Sequence, residues 1–428
     1  MYKMLKENYR PRIIDSIIKD NLQAFGAVCI EGPKWCGKTW TAENSCKSKF
    51  MLGDPTGNFQ NRTLASLDPA MTLKGEAPRL IDEWQEVTSI WDAVRYEVDR
   101  RGQSGQFILT GSSTPKRKGI MHSGAGRIVH LRMRTMSLWE SGDSDGKVSL
   151  QSLFAGELES QLTGDVELRR IAELIVRGGW PQSIMVPADK AYLLSQGYIN
   201  AIIDDGANRL DEIKRDSSKM IRLLKSLARN ESTTVSNKTL KRDIKDVEGI
   251  DISDQTIAEY LDVFSRLYVT EDQPPFDPSV RSSVRVKQGS KRHLTDPSIA
   301  CSLLGINEDG LINDLETMGF LFEALCERDL WIYAKSFEGK LLHYQDYKGK
   351  EIDAIVELSS GAWGAFEIKL GANQIDNAAK SLLAIRNSIA KEGRGKEPKF
   401  LCVLCGLTNA AYKREDGVFV VPITSLKP

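Results

Sequence analysis

The sequence has no apolar run close to the about 20 residues that a membrane-spanning helix needs, and residues 1–12 lack the apolar core of a signal peptide. No membrane association is therefore expected. The seven cysteines are scattered over 428 residues. This distribution argues against a disulfide framework and predicts a reducing, cytoplasmic location.

The chain also has no net charge, because 58 Lys and Arg residues balance 58 Asp and Glu residues. This balance excludes a uniformly basic nucleic-acid-binding protein but allows a local basic patch. The four histidines show no metal-ligand spacing. Cys402 and Cys405 form a C-x-x-C pair in an apolar run with no second ligand pair nearby, which favours a buried strand over a zinc or redox site.

The first 145 residues alternate between short apolar stretches and polar or helical ones. We predict strands at residues 27–31, 80–81, 107–110 and 128–133, and a helix at 90–101. Short buried strands that alternate with helices predict an α/β fold with a parallel sheet and right-handed crossovers.

The turn after the first strand has the pattern G-x-x-x-x-G-K-[S/T] of a phosphate-binding loop. Its residues are Gly32, Pro33, Lys34, Trp35, Cys36, Gly37, Lys38 and Thr39. In such a loop, backbone N–H groups surround the phosphates, and the following helix adds positive potential. Lys38 is predicted to reach the β- and γ-phosphates and Thr39 to hold Mg²⁺, so ATP and Mg²⁺ are the expected ligands.

Three later segments carry further polar residues suited to an ATPase. Asp82 is predicted to hold Mg²⁺ through water, and Glu83 to orient or deprotonate the attacking water. Thr110 or Ser112, at the end of the next strand, would sense the γ-phosphate. Arg127 lies in a glycine-rich loop and is either an arginine finger that acts on a neighbouring subunit or a solvated arginine. The first alternative requires at least a dimer, and a homo-oligomeric ring such as a hexamer is expected.

These segments resemble a widespread prokaryotic family of AAA-type ATPases, whose members join an amino-terminal AAA domain to a carboxyl-terminal domain of unknown function. The resemblance covers nearly the whole chain. It is carried by residues 80–85, 107–112, 126–127, 178–181 and 367–369. It implies ATP binding and hydrolysis, but it does not identify the process that hydrolysis drives.

Residues 213–300 have the order of a winged-helix domain, namely three helices followed by a hairpin. The helices are predicted at 220–228, at 237–244 and from Ser253, which is a suitable N-cap, and a strand is predicted at 284–287. The hairpin region carries five basic residues and no acid: Arg281, Arg285, Lys287, Lys291 and Arg292.

A basic wing of this kind suits a phosphate backbone, whereas the third helix is acidic and would read a major groove poorly. Contact with nucleic acid, DNA in preference to RNA, is the favoured interpretation. A protein-binding surface and a solvated hairpin remain the alternatives.

A second candidate site lies near the carboxyl terminus. Glu323 is embedded in an apolar helix, Asp353 lies in a strand, and Glu367 and Lys369 share one face of the next strand. This order resembles the core of restriction-endonuclease-like nucleases, in which Gln374 matches a further polar position. The resemblance implies that Asp353 and Glu367 bind Mg²⁺, that Lys369 positions or activates water, and that Glu323 supports the metal site. The alternatives are a solvated charged pair and a nuclease fold without activity.

The predicted organisation therefore has four parts. They are an AAA-type P-loop ATPase domain (1–145), a helical lid or linker (146–212), a winged-helix-like domain (213–300) and a restriction-endonuclease-like α/β domain (301–428). Three functions fit this organisation: an ATPase that acts on nucleic acid and carries a nuclease-like domain, a nucleotide-gated protein-interaction switch, and a DNA-binding regulator that does not cleave.

Overall fold

A computed structural model describes residues 9–114, 121–203, 215–248, 252–347, 349–393 and 395–428. The chain forms two compact units. The first contains Met1–Thr135, Ala201–Arg215 and Asp262–Val269, and the second contains the remaining residues. The predicted domain boundary at residue 212 lies outside the described residues. In the described part of the chain, no helix has both the length and the apolar character needed to cross a membrane.

The first unit is built on a five-stranded sheet with the order β2-β3-β4-β1-β5. Its strands are β1 (Ala27–Glu31), β2 (Ser48–Met51), β3 (Arg79–Asp82), β4 (Phe107–Gly111) and β5 (Ile128–Arg132). All neighbouring pairs are parallel, which confirms the predicted α/β sheet. The sequence pattern missed β2, because this short edge strand has no fully buried residue.

Helices cover both faces of this sheet. They are Ile14–Ala24, Lys38–Ser45, Thr56–Leu67, Pro69–Thr72 and Ser89–Arg101, with a 3₁₀ turn at Trp84–Glu86. One face buries Cys29, Ile81 and Leu109 together with Trp91. The opposite face buries Val28 and other apolar residues against the first helix. Because parallel strands end at the same edge, the polar residues after β1, β3 and β4 lie close together.

The second unit contains a seven-stranded sheet with the order β10-β11-β12-β13-β15-β14-β7. Its strands are β7 (Gln161–Leu162), β10 (Lys340–Gln345), β11 (Glu351–Glu357), β12 (Trp363–Gly371), β13 (Phe400–Leu407), β14 (Ala410–Lys413) and β15 (Phe419–Pro422). β10, β11 and β12 form an antiparallel meander, and β13 and β15 continue parallel to β12. Cys402 and Cys405 are buried in β13, so the predicted buried strand is confirmed.

Two two-stranded ladders complete the second unit. One pairs β6 (Val148–Ser149) with β16 (Leu426–Lys427) in parallel, and the other pairs β8 (Thr270–Gln273) with β9 (Lys291–Leu294) in antiparallel orientation. The helices of this unit are Leu138–Ser141, Leu150–Ala155, Leu168–Arg177, Ala188–Ala201, Ser217–Arg229, Asn237–Glu248, Val284–Lys287, Pro297–Leu304, Glu308–Asn313, Leu315–Lys335 and Ile375–Lys391. The helix Asp254–Arg266 contributes residues to both units, as does Ala188–Ala201, whose last residue belongs to the first unit.

The region predicted to be a winged helix contains the three expected helices and then an antiparallel ladder. Ser253 caps the third helix, because its hydroxyl accepts a hydrogen bond from the Thr256 N–H at 3.0 Å. The predicted strand at residues 284–287 is wrong, since these residues form a helical turn. Their Val-Arg-Val-Lys alternation does not mark a buried strand face, because Val286 is 86% exposed.

Candidate active site

The phosphate-binding loop connects β1 to the helix Lys38–Ser45. A Cβ atom on Gly32 would lie 2.1 Å from the carbonyl oxygen of Met133, so only glycine fits there. Gly37 has a φ of 102°, a conformation that glycine adopts without strain. The Lys38 Nζ lies 3.0 Å from the Gly32 carbonyl oxygen and 2.8 Å from that of Pro33. The lysine ammonium is therefore directed over the loop, where a phosphate would bind.

Asp82 links the loop to the neighbouring strands. Its Oδ1 accepts hydrogen bonds from the Thr39 hydroxyl at 2.9 Å and from the Thr110 hydroxyl at 2.6 Å. Burial raises the pKa of Asp82 above its usual value, and the Thr110 hydrogen bond acts in the opposite direction. A hydroxyl and a carboxylate in contact are oxygen donors of the kind that Mg²⁺ prefers, so these residues fit the predicted metal.

Glu83 is held beside Asp82 in an unusual backbone conformation, with a φ of 57°. Its N–H donates to the Thr110 hydroxyl at 3.0 Å, and its carboxylate accepts hydrogen bonds from Ser112 at 2.9 Å and from Gln85. A non-glycine residue in the left-handed region is costly and is often found at functional sites. Thr110 and Ser112, predicted as phosphate sensors, thus contact the two acids in this structure.

Arg127 lies immediately before β5, at the edge of the sheet opposite the loop. Because Ala27 pairs with Ile128 and the strands are parallel, the five residues of β5 separate Arg127 from the loop edge by about 16 Å. Its Nε donates to Asp99 at 2.8 Å, and its side chain is half exposed. Arg127 therefore cannot reach the loop of its own subunit, and a role on a neighbouring subunit stays a prediction.

Arg12 connects the phosphate-binding loop to the segment after β5 by hydrogen bonds, a role that the sequence did not suggest. Its buried guanidinium donates to the carbonyl oxygens of Cys36 and Arg134 at 2.9 Å each and of Thr135 at 3.2 Å. The partners at 134 and 135 are more than 120 positions away in sequence. No local pattern marks such a contact, so sequence reasoning had no signal for it.

The residues of the second candidate site also lie close together. Asp353 is on β11 and Glu367 and Lys369 are on β12, and these strands are adjacent and antiparallel. The Lys369 Nζ lies 2.9 Å from Glu367 and 3.3 Å from Asp353. Asp353 accepts a further hydrogen bond from the Ile368 N–H at 2.7 Å. Burial is the main cause that raises the pKa of Glu367 to about 8. Gln374 accepts a hydrogen bond from the Gly371 N–H instead of joining this group.

The ammonium group of Lys291 also lies in this centre, which the sequence analysis did not predict. The Nζ of Lys291, from β9, lies 2.5 Å from Glu323 and 2.9 Å from Glu327, and it donates to the Asp353 carbonyl oxygen at 3.1 Å. Burial raises the pKa of Glu323 to about 7, although Lys291 acts to lower it. Glu323, Asp353, Glu367 and Lys369 therefore surround a centre in which Lys291 supplies a second positive charge.

This arrangement corrects the predicted basic wing. Lys291 is buried, Arg285 forms a two-pronged ion pair with Glu357, and Arg292 donates to Asn237 at 2.7 Å. Arg281 and Lys287 are the exposed members of the five. A local count of charges could not anticipate this outcome, because the compensating acids lie about 30 to 70 positions further along the chain.

Replacement of Lys291 by methionine should lower the free energy of unfolding of the second unit by about 3–5 kcal/mol, because it leaves buried acids without their cation. Urea unfolding measures this change. The matched control is Lys287→Met, which removes an exposed lysine from the same region. The double variant with Glu327→Gln should recover part of the loss, since it also removes the charge of one of the two acids that Lys291 neutralises. An unfolding midpoint at the wild-type value for Lys291→Met would contradict the buried ion pair.

Comparison with known proteins divides the chain into three matched segments. Residues 24–141 match the family model described as an AAA domain. Residues 168–310 match a domain of unknown function (DUF8612), and residues 318–426 match another (DUF4143).

Uncharacterized proteins of Mycobacterium tuberculosis and Mycobacterium bovis are each 23% identical over 345 residues, which is 80% of this chain and 70% of theirs. Among solved structures, a Walker-type ATPase of Pyrococcus abyssi matches with a TM-score of 0.44 and 13% identity, over 69% of this chain and 96% of that one. The ORC1 protein of Aeropyrum pernix, solved in complex with DNA, matches with a TM-score of 0.28 and 10% identity, over 73% and 98% of the two chains. Residues 24–141, which contain the phosphate-binding loop, are therefore similar to an AAA domain, and residues 318–426 are similar to a domain of unknown function.

Proposed function

We propose that this protein hydrolyses ATP at the edge of the parallel sheet and uses the energy to act on nucleic acid. The observation that supports hydrolysis is the position of Asp82, whose carboxylate joins Thr39 of the loop to Thr110 of β4. Glu83 follows directly and is oriented by Ser112. Asp82, which contacts the hydroxyl of the loop residue Thr39, suits the role of a metal ligand. Glu83, the next residue, suits the role of a water-orienting base.

Each side chain then has a defined role in the reaction. Lys38 would bind the β- and γ-phosphates. Thr39 and, through water, Asp82 would hold Mg²⁺, whose charge would offset the negative charge that develops on the phosphates. Glu83 accepts a proton from the attacking water or orients it. The backbone N–H groups of the loop and the start of the following helix hold the remaining phosphate oxygens.

The direct test is release of phosphate from ATP by the full-length protein, with and without Mg²⁺ and with a panel of DNA and RNA structures. We expect turnover that a chelator abolishes and that a nucleic acid stimulates. A protein that binds ATP but releases no phosphate under any of these conditions would show that hydrolysis is not its function.

We further propose that Arg127 completes the site of a neighbouring subunit. It lies at the edge opposite its own loop, and its half-exposed guanidinium is paired only with surface-exposed Asp99 among the charged groups of the described residues. An arginine supplied by a neighbour stabilises the charge of the transition state. Light scattering on the ATP-bound protein should report an oligomer, and a monomer mass would contradict this role.

The basic surface that best suits a nucleic acid lies on the helix Asn237–Glu248, not on the predicted wing. Lys238, Arg242 and Lys245 are exposed, and their spacing of four and three residues places them on one helix face. The remaining basic residue of this helix, Lys241, pairs with Asp254 at 3.1 Å. Three exposed cations on one face can contact successive phosphates.

Reversal of these three charges to glutamate should weaken duplex DNA binding strongly and reduce the slope of log K against log salt by about 3. Fluorescence anisotropy over a salt series measures both quantities. The control is the pair Arg281→Glu and Lys287→Glu, which reverses the exposed charges of the predicted wing. If the control loses binding and the helix variant does not, the wing is the binding surface. If the wild-type protein binds neither DNA nor RNA at low salt, the nucleotide-gated protein switch replaces this proposal.

A second candidate function is Mg²⁺-dependent cleavage of nucleic acid at the carboxyl-terminal centre. The observation that favours it is the Oε2 atom of Glu367, which is buried without a hydrogen-bond partner among the described residues. A free carboxylate oxygen beside Asp353 fits a hard divalent cation. Glu367→Gln should reduce cleavage at least about 100-fold, whereas Glu351→Gln, at an exposed site on β11, should not. Equal cleavage by both variants would assign the activity elsewhere.

A further inference from the structure

Three side chains of different chemistry meet on β1 and β5, whereas the predicted Mg²⁺ ligand Asp82 lies on β3, beyond β4. Cys29 and Glu31 are two residues apart on β1 and therefore share one face of the sheet. Cys29 pairs in register with His130 of β5. The cysteine sulfur, a carboxylate oxygen and an imidazole nitrogen all lie within 4.8 Å of one another. Neither the ATP site nor the carboxyl-terminal centre uses any of them.

The distances between these atoms suit a tetrahedral metal ion. The His130 Nδ1 lies 3.0 Å from the Glu31 Oε1, and the Cys29 Sγ lies 3.8 Å from the same oxygen. Tetrahedral Zn²⁺, with bonds of about 2.0–2.3 Å, places nitrogen and oxygen ligands about 3.3 Å apart and sulfur and oxygen ligands about 3.6 Å apart. The cysteine sulfur and the imidazole nitrogen lie within 4.8 Å of each other, so side-chain shifts of about 1 Å would bring all three atoms to bonding distance.

Burial within the cluster is graded from the core to the solvent. Cys29 is fully buried, the Glu31 side chain is 13% exposed, and the His130 side chain is 50% exposed. A metal held by these residues would thus face solvent on the His130 side, where a water molecule can supply the fourth ligand. Sulfur and imidazole ligands select Zn²⁺, Co²⁺ and related ions over Mg²⁺, which prefers oxygen alone.

We propose that Cys29, Glu31 and His130 form a binding site for a transition-metal dication, with Zn²⁺ as the best-suited ion. The metal would join β1 to β5 at the residue directly before the phosphate-binding loop. This site differs from the Mg²⁺ site in its donor atoms. It offers sulfur, nitrogen and oxygen, whereas the Mg²⁺ site offers oxygen alone. The proposal does not depend on ATP hydrolysis or on nucleic-acid binding.

The test is titration of the full-length, chelator-treated protein with Co²⁺ in the presence of excess Mg²⁺, which occupies the oxygen-rich sites. We expect a charge-transfer band from thiolate to cobalt at one equivalent, and its loss when Zn²⁺ is added. Trp91 provides a second signal, because its ring centroid lies 5.2 Å from that of His130, so bound Co²⁺ should quench tryptophan fluorescence.

Variants assign the ligands. His130→Gln changes a half-exposed side chain and should weaken Co²⁺ binding at least about 100-fold. Cys29→Ser should remove the charge-transfer band, and Cys46→Ser, which changes a cysteine of the same unit outside the cluster, should retain it. The proposal is overturned if the wild-type protein gives no such band, if His130→Gln binds Co²⁺ as tightly as the wild type, or if the band is lost in Cys46→Ser. Should Cys29→Ser fail to fold, the His130→Gln comparison still decides the question.

Discussion

Replacement of Lys38 by alanine is expected to abolish ATP turnover, with a loss of at least about 10²–10³-fold in kcat/KM. The Lys38 ammonium lies over the loop, within 3.0 Å of two of its carbonyl oxygens. Its removal leaves the β- and γ-phosphates without the cation that the loop provides. ATP binding should weaken along with turnover, because the lysine contacts the ground state as well as the transition state.

The control for this variant is Lys47→Ala, which removes an exposed lysine just beyond the helix that follows the loop. Calorimetric ATP binding and phosphate release measure the two effects, and thermal unfolding checks that the sheet remains intact. Turnover of Lys38→Ala at the level of Lys47→Ala would show that the loop does not serve the reaction.

Replacement of Glu83 by glutamine is expected to separate binding from chemistry. Glutamine keeps the shape of the side chain, and its amide oxygen can still accept from Ser112, as the carboxylate oxygen does at 2.9 Å. It cannot take a proton from water. We therefore expect ATP affinity close to that of the wild type and a loss of about 10²–10⁴-fold in the hydrolysis step.

Single-turnover hydrolysis and retention of labelled ATP on the protein measure this separation. Glu86→Gln is the matched control, since Glu86 lies in the same turn but pairs with Arg62 on the surface. If Glu83→Gln and Glu86→Gln hydrolyse ATP at the same rate, another group activates the water. If Glu83→Gln fails to bind ATP, its role is structural.

The ATP site could be predicted from sequence because its chemistry follows a local order. The loop spans eight consecutive residues, and Asp82 and Thr110 each end an apolar strand, so the parallel sheet brings them together. The contact between Thr110 and Asp82 was less predictable. This contact requires β4 to lie between β1 and β3. The order of strands in a sheet cannot be predicted from any one segment of the sequence. The hydroxyls of Thr110 and Ser112 contact the two acids here, and their role as phosphate sensors stays a prediction.

In the carboxyl-terminal centre, a key contact could not be predicted from local sequence order. Residue types and their order predict that Glu323, Asp353, Glu367 and Lys369 form one group, but they assign Lys291 to a solvent-exposed wing. Its true partners depend on the packing of β9 against the helix Leu315–Lys335, and that packing is a tertiary contact. A buried charge is neutralised by residues that are near in space but often distant in sequence. A short stretch of sequence therefore cannot show whether a basic residue lies on a binding surface or in a buried ion pair.

The contacts of β6, β7 and Lys291 determine where this chain can be divided into independent fragments. A fragment that begins at residue 301 would keep most of the large sheet but lose β7, its edge strand next to β14, and β6, which pairs with the carboxyl-terminal β16. It would also leave Glu323 and Glu327 without the ammonium of Lys291. Expression of the carboxyl-terminal half as a separate polypeptide should therefore start no later than Met136, the first residue of the second unit.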